Sequence, residues 1–250
     1  MTTPSSRRIF AAEFLGTAVL VLCGLGGSIL LGANSGSALT TALCFGLTLV
    51  VLAYSVGSVS GCHLNPAVSL AAWAAKKIGS GLLAAYVAAQ VLGGLFGGLL
   101  LYAIAKGQKG FSSSHNFSAN GWGRFSPGHF DLWATILVEI VFTALLVFVY
   151  LATSERSVPR SAFGLAVGLT YAVVYLVTAS VDNGSANPAR SLAAAVFAGG
   201  DAIRQVWVFI VFPLLGGLVG LLAWLAVDDS QLRDTRLDVG AVDAVRDLAS

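Results

Sequence analysis

Charged side chains are scarce in this 250-residue chain. It contains 14 Lys and Arg and 12 Asp and Glu, or 10% of its residues, whereas soluble domains usually have about 25%. Hydrophobic residues make up 56% of the chain, and the mean hydropathy is +0.83. Because a soluble monomer cannot bury so much apolar surface, the composition predicts a protein that is solvated by membrane lipid. The net charge of +2 gives no electrostatic basis for binding nucleic acid.

Cysteine is also rare, and the residue types that build catalytic sites are not clustered. Cys23, Cys44 and Cys62 have neither metal-ligand spacing nor a disulfide pattern, so we expect them to be small packing residues. The acidic residues inside apolar segments, Glu13 and Glu139, have no histidine or cysteine partner at a spacing that suits a nucleophile and its base. The sequence therefore predicts no enzyme, no metal and no cofactor.

Long apolar runs dominate the chain instead. A membrane-spanning helix needs about 20 mostly apolar residues, and six segments meet this length, at 9–31, 38–59, 82–105, 132–152, 162–180 and 204–227. The first is longer than the apolar core of a signal peptide, so we interpret it as a span. Two shorter pieces, 66–75 and 188–198, cannot cross. Each begins with proline and follows an asparagine, which suits the first turn and the N-cap of a half-helix.

The two half-helices belong to an internal repeat. A shift of 122 residues places the Asn-Pro-Ala at 65–67 on the one at 187–189, and a shift of 126 places Glu13 on Glu139. Each half, about 8–106 and 130–227, therefore has three spans and one half-helix. An odd number of crossings turns the second half upside down in the membrane, as in inverted-repeat transport proteins. The predicted fold is an all-α membrane protein with six transmembrane helices and two re-entrant half-helices.

Basic residues flank the spans unequally. If the spans alternate, one side carries Arg7, Arg8, Lys76, Lys77, Arg156, Arg160, Arg233, Arg236 and Arg246, and the other carries Lys106, Lys109, Arg124 and Arg204. This excess predicts that both termini are cytoplasmic, in the inner or plasma membrane of the cell. The expected organisation is a cytoplasmic N-terminus at 1–7, one transmembrane domain at 8–227 and a cytoplasmic tail at 228–250.

Inverted symmetry brings the two half-helix starts face to face near the middle of the membrane. Irregular backbone is tolerated at this depth only where it is buried in protein or lines a wet cavity. Each helix start carries about half a positive charge, so the meeting point repels cations while the amides of Asn65 and Asn187 offer donors. Arg190, at a cost of about 2.5–3.5 kcal/mol in an apolar segment, is expected to face the same cavity. The alternative is that it reaches the nearby surface.

The motifs H63-LNPAVS-69 and S185-ANPARS-191, with E13-FLGT-17 and E139-IVFT-143, resemble the aquaporin, or major intrinsic protein, family. The resemblance covers about residues 8–227. It implies the aquaporin fold, a homotetramer in membrane lipid with one pore per subunit, and Asn65 and Asn187 as donors at the pore centre. It also implies that Arg190 belongs to an outer constriction.

Matching the family's constriction to the repeat adds three positions, Phe45, Tyr175 and Gly184. Phe45 is typical of the water-selective branch, in which an aromatic ring narrows the pore, but Tyr175 replaces the histidine of typical water channels. Glycine at the position of Gly184 also occurs in wider members, and we expect the phenol of Tyr175 to offset the space that this glycine leaves. Ser191 and Phe45 both depart from the pattern of glycerol facilitators.

The resemblance implies that Glu13 and Glu139 accept hydrogen bonds from the backbone of the half-helix loops and support them. His63 is expected to line or border the cytoplasmic vestibule. Gly93-x-x-x-Gly97 and Gly216-x-x-x-Gly220 predict close helix crossings within the subunit, and residues 107–128 form the extracellular link between the halves.

Two functions follow as expectations. The first is a passive water channel that conducts single file and excludes protons and ions. The alternative is a facilitator of small neutral solutes such as glycerol, urea, ammonia or hydrogen peroxide. An ion-coupled transporter is a weaker interpretation, because it would need carboxylates at the substrate site.

Overall fold

The computed structural model describes residues 5–31, 38–113, 117–155 and 158–227, so the predicted tail at 228–250 and Arg156 lie outside it. The described residues form a short 3-10 turn at Gly123–Phe125 and nine α-helices: α1 Ser6–Ile29, α2 Ala38–Ser60, α3 Pro66–Ala74, α4 Ser80–Ala105, α5 Leu132–Thr153, α6 Arg160–Asp182, α7 Pro188–Ala198, α8 Gly200–Gln205 and α9 Val208–Val227.

Six segments of the described chain are long and apolar enough to cross a membrane, which confirms the predicted spans. They are α1, α2, α4, α5, α6 and the consecutive helices α8 and α9. Helix ends differ from the predicted spans by a few residues, since α4 begins at Ser80 and α6 ends at Asp182. Hydropathy marks the apolar length of a segment, whereas helical hydrogen bonding continues into polar residues at its ends.

The two short helices α3 and α7 begin as their Asn-Pro sequences predict. Asn65 Oδ1 accepts from the backbone N–H of Ala67 at 2.9 Å, and Asn187 Oδ1 accepts from that of Ala189 at 3.1 Å. The helices have 9 and 11 residues. At about 1.5 Å per residue neither reaches across the roughly 30 Å of a hydrocarbon core.

The two halves pack in matching pairs. Helix α1 packs on α4, its counterpart α5 packs on α9, and α2 packs on α6 between the halves. A Cβ atom at Gly93 or Gly97 would lie 2.2 Å from a carbonyl oxygen of α1. A Cβ at Gly216 or Gly220 would lie 2.5 Å from a carbonyl oxygen of α5. These contacts confirm the predicted glycine crossings, because only a residue without a side chain permits such close backbones.

Glycines also fix the half-helices against the opposite half of the chain. A Cβ at Gly94 of α4 would meet the carbonyl oxygen of Ala189 at 3.0 Å. A Cβ at Gly217 of α9 would meet that of Ala67 at 2.8 Å. Each half-helix therefore rests on the last span of the other half, and this packing brings the two helix starts together.

Candidate functional site

The two N-cap asparagines form a reciprocal contact where α3 and α7 begin. Asn65 Nδ2 donates to the carbonyl of Ala186 at 2.6 Å, and Asn187 Nδ2 donates to the carbonyl of Leu64 at 2.9 Å. Leu64 and Ala186 have positive φ angles of 50° and 54°, an uncommon backbone for residues other than glycine. An amide group has two N–H bonds and each contact uses one, so the second can face a ligand.

Both asparagines line a narrow cavity. The space there that the centre of a water molecule can occupy is about 10 Å³, which is roughly the room of one water. The remaining wall is largely apolar, with three aromatic or imidazole rings. It is formed by Leu20, Leu49, His63, Val68, Leu146, Tyr150, Val167 and Tyr171.

A second, wider cavity lies where α2 and α5 end and α6 begins. Its volume is about 560 Å³, and its wall includes Tyr54, Gly61, Thr153, Glu155 and Phe163. By the predicted orientation this is the cytoplasmic side. The structure places His63 on the narrow cavity, and His63 is not among the residues that line this wider one.

The four predicted constriction residues come together in the structure. The rings of Phe45 and Tyr175 stack with centroids 4.1 Å apart. A Cβ at Gly184 would lie 2.6 Å from the Tyr175 ring, so the phenol occupies the space beside this glycine. Arg190 Nε donates to the Tyr175 hydroxyl. Tyr175 and Gly184 are the two departures from the typical family pattern. Because they are in contact, the larger side chain fills the space that the glycine leaves.

Arg190 is fully buried, with 0% of its surface exposed, so it does not extend to the surface. Its guanidinium donates to the Tyr175 hydroxyl, to Asn120 Oδ1 and, at 3.3 Å, to the carbonyl of Asn183. Its carbon Cζ also lies 5.6 Å from the ring centroid of Phe45 and 5.5 Å from that of Tyr175. These hydrogen-bond acceptors are neutral and the rings offer only their π faces, so the hydrogen bonds hold the guanidinium at the predicted constriction without a carboxylate acceptor among the described residues.

Asn120 is a site residue to which the sequence assigned no role. It lies in the loop between the halves and is 6% exposed. Its Oδ1 accepts from Arg190 and, at 2.8 Å, from Ser191, while its Nδ2 donates to the carbonyls of Asp182 and Gly184 at 3.0 and 2.9 Å. The side chain therefore connects the loop to two constriction positions. No sequence spacing indicates this, because Asn120 and Arg190 are 70 positions apart.

The two buried glutamates contact the loops that lead into the half-helices. Glu13 Oε1 and Oε2 accept from the backbone N–H groups of His63 and Leu64 at 3.0 and 2.7 Å. Gln90 Nε2 also donates to Glu13, at 2.7 Å. In the second half, Glu139 Oε2 accepts from the N–H of Ala186 at 3.2 Å.

The second half differs by a carboxyl group. Asp182 is buried beside Glu139, whereas the position matched by the repeat in the first half is Ser60, which lies beside Glu13. Asp182 Oδ1 accepts from the N–H of Gly184 at 2.9 Å, and its Oδ2 has no donor among the described residues. The second half therefore has a buried carboxyl oxygen that the first half lacks.

His63 is a neutral ring on the wall of the narrow cavity. Its Nδ1 lies 3.0 Å from Ser69 Oγ, and its ring stacks on Tyr86 at 4.4 Å. The residue is 6% exposed. Within the described ranges, no group of three or more His, Cys, Asp or Glu side chains is placed to hold a metal ion.

These features define an integral, multi-pass membrane protein in which two capped half-helices meet at a narrow cavity. The model of the major intrinsic protein family matches residues 1–224. Aquaporin Z of Rhodopseudomonas palustris is 41% identical over 214 residues, or 84% of this chain and 89% of that protein. Aquaporin Z of Photorhabdus laumondii is 40% identical over 217 residues, or 85% and 94%.

The chain belongs to the major intrinsic protein family. Among solved structures, the aquaglyceroporin from Plasmodium falciparum superposes with a TM-score of 0.79 at 24% identity, covering 92% of this chain and all of that one. This likeness confirms the predicted aquaporin fold.

Proposed function

We propose that this chain is a passive water channel, in which water passes in single file and protons and ions are excluded. The observation that carries the proposal is the reciprocal contact of Asn65 and Asn187 on a cavity with room for about one water. Two relatives named aquaporin Z, each about 40% identical over most of the chain, support it.

Ion exclusion follows from the charges at two levels of the pore. Each half-helix start contributes about half a positive charge to the centre. Arg190 adds a full positive charge at the outer constriction, where its acceptors are neutral. A cation therefore meets repulsion twice, while the asparagine N–H groups orient the central water as an acceptor and interrupt a proton wire.

A facilitator of small neutral solutes is the second candidate. Gly184 favours it, because a glycine at this position leaves room in the constriction. The Tyr175 ring lies in contact with that glycine and on Phe45, which narrows the same space and favours water.

Osmotic experiments on proteoliposomes separate the two candidates. In a stopped-flow light-scattering experiment with an impermeant osmolyte, we expect rapid shrinkage compared with empty liposomes. With glycerol as the osmolyte, a water channel gives shrinkage without protein-dependent re-swelling. Re-swelling that depends on the protein would favour the facilitator.

We further propose a homotetramer with one pore per subunit, in the inner or plasma membrane, with both termini cytoplasmic. The domain bounds stay as the sequence predicts them, with the channel at 8–227 and a cytoplasmic tail at 228–250. The distribution of basic residues supports the orientation. Native mass spectrometry from detergent tests the assembly, and a tag at each end that is cleaved only from the cytoplasmic side tests the orientation.

A further inference from the structure

Tyr150 lies between the two cavities. It lines the narrow cavity together with Asn65 and Asn187, and it also lines the wide one with Gly61 and Phe163. Among the residues that the structure describes, no other lines both of them. Anything that moves from the wide cavity to the asparagines therefore passes this ring.

The ring is held from several sides. Tyr150 is 4% exposed, and its hydroxyl donates to the carbonyl of Gly61 at 2.9 Å. Its ring meets those of His63 and Phe163 edge to face, with centroids 5.4 and 5.3 Å apart. A Cβ at Gly61 would approach the phenol oxygen to 3.1 Å, so this backbone packs directly on the side chain.

The inverted repeat relates Tyr150 to the outer constriction. The shift that pairs Glu13 with Glu139 pairs Gly24 with Tyr150, and the shift that pairs the Asn-Pro-Ala motifs pairs Phe45 with Val167. At the outer end the Phe45 ring covers Gly24, since a Cβ there would meet it at 2.1 Å. At the inner end the large and small residues are swapped. The ring of Tyr150 stands at the position that matches Gly24, and the smaller Val167 stands at the position that matches Phe45.

At the inner end, the positions that match Tyr175 and Arg190 carry neither a ring nor a charge. The repeat pairs Tyr175 with Ala53 and Arg190 with Val68. Ala53 lines the wide cavity and Val68 the narrow one. A ring at this end therefore limits size without a fixed charge.

We propose that Tyr150, packed against His63, forms a second, uncharged constriction at the inner end of the pore, in series with the outer one. The inference rests on the proposed channel function. It makes Tyr150 a residue that determines solute size: a solute larger than water is stopped at either end, so both rings must be removed before it passes.

Four variants in proteoliposomes test this inference: Tyr175→Ala, Tyr150→Ala, the double Tyr175→Ala/Tyr150→Ala, and the matched control Tyr175→Ala/Tyr150→Phe. Each single variant is expected to exclude glycerol. The double alanine variant is expected to raise glycerol permeability about tenfold or more, equivalent to a barrier lowered by about 1.4 kcal/mol. The control retains the inner ring and loses only the hydroxyl, so it is expected to exclude glycerol.

Three results overturn the inner constriction. They are glycerol passage through Tyr175→Ala alone, glycerol passage through the phenylalanine control, and a double alanine variant that still excludes glycerol while conducting water. If Tyr150→Ala aggregates on size-exclusion chromatography, Tyr150→Leu removes the ring with less loss of volume and carries the same expectations. Failure of the proposed function is distinct, because wild-type liposomes would then show no water flux at all.

Discussion

Among single residues, Arg190 places a large electrostatic demand on the fold. A fully buried guanidinium is costly in a membrane, and here a phenol, an amide and a carbonyl accept its hydrogen bonds. Neutral acceptors hold the group in position, and among the described residues no carboxylate hydrogen-bonds to it. A positive charge held at the predicted constriction is what the proposed cation exclusion requires.

The first prediction concerns the loop residue that holds Arg190. Asn120→Ala removes four hydrogen bonds from a buried site, and the partners left unpaired should lower the free energy of unfolding by about 1–3 kcal/mol. Thermal unfolding in detergent measures the change. Arg124→Ala is the control in the same loop, because its ion pair with Asp201 is exposed and should contribute less than about 1 kcal/mol.

Equal melting temperatures for the Asn120 and Arg124 variants would contradict the clamping role of Asn120. The same preparations provide a functional measurement. With Arg190 less constrained, we expect water permeability of the Asn120 variant to change, and that of the Arg124 variant to match the wild type.

The second prediction concerns pH. The ring of His63 is buried and packs on the rings of Tyr86 and Tyr150, so a charge on it would be costly and we expect it to stay neutral near pH 7. Water permeability should therefore show no His63 titration between about pH 5 and pH 8. A permeability midpoint near pH 6.5 that His63→Ala abolishes would contradict this.

Residue-level prediction from the sequence depended on the motifs. The two Asn-Pro-Ala motifs, with the arginine after the second, indicated the candidate site residues. The structure brings Asn65 and Asn187 to one cavity and the four predicted constriction residues into contact. Their roles in permeation stay predictions. Asn120, Asp182 and Tyr150 had no assigned role, because their importance arises from tertiary contacts that no local pattern encodes.

At the scale of helices, the site depends on two short elements held by close backbone contacts. Reciprocal asparagine bonds join the helix starts. Gly94 and Gly217 let the opposite half approach each of them. The half-helices are therefore placed by long-range packing, since helices of 9 and 11 residues would be marginal alone.

The third prediction tests the glycine crossings. In Gly93→Ala the new Cβ would lie 2.2 Å from the carbonyl oxygen of Phe14, so α1 and α4 must separate. We expect a loss of about 1–3 kcal/mol or more in unfolding free energy, measured by thermal unfolding in detergent. Gly81→Ala is the control on the same helix, because a Cβ there meets nothing within 4 Å. Equal stability of the two variants would be evidence against the crossing.

The fourth prediction tests the support of the first half-helix loop. Glu13 accepts from two backbone N–H groups with its two oxygens. Glu13→Gln has one acceptor oxygen, so one buried N–H loses its partner and faces an amide N–H. Melting temperature and water permeability should therefore fall together. If flux disappears while stability is unchanged, the carboxyl acts in transport itself, and a coupled mechanism becomes the better account.

For the whole molecule, the sequence predicted the architecture well because hydropathy, the local motifs and the internal repeat all indicate the same fold. Apolar length gave the six spans, and proline with asparagine gave the half-helices. The repeat related the two halves. Hydropathy could not predict the short helix α8, since its sequence, Gly200–Gln205, is largely polar. The repeat also could not predict how the two ends of the pore differ, because this difference depends on residues that depart from the repeat, such as Tyr150 and Asp182.

The central claim is that half-helices of opposite polarity present asparagine amides to a file of water molecules, and that this arrangement passes water but no protons. Proteoliposomes that contain a pH-sensitive dye allow both fluxes to be measured on one preparation. The account predicts water permeability well above that of empty liposomes, with proton permeability equal to that of empty liposomes. Protein-dependent proton leakage alongside water flux, or no protein-dependent water flux, would contradict it.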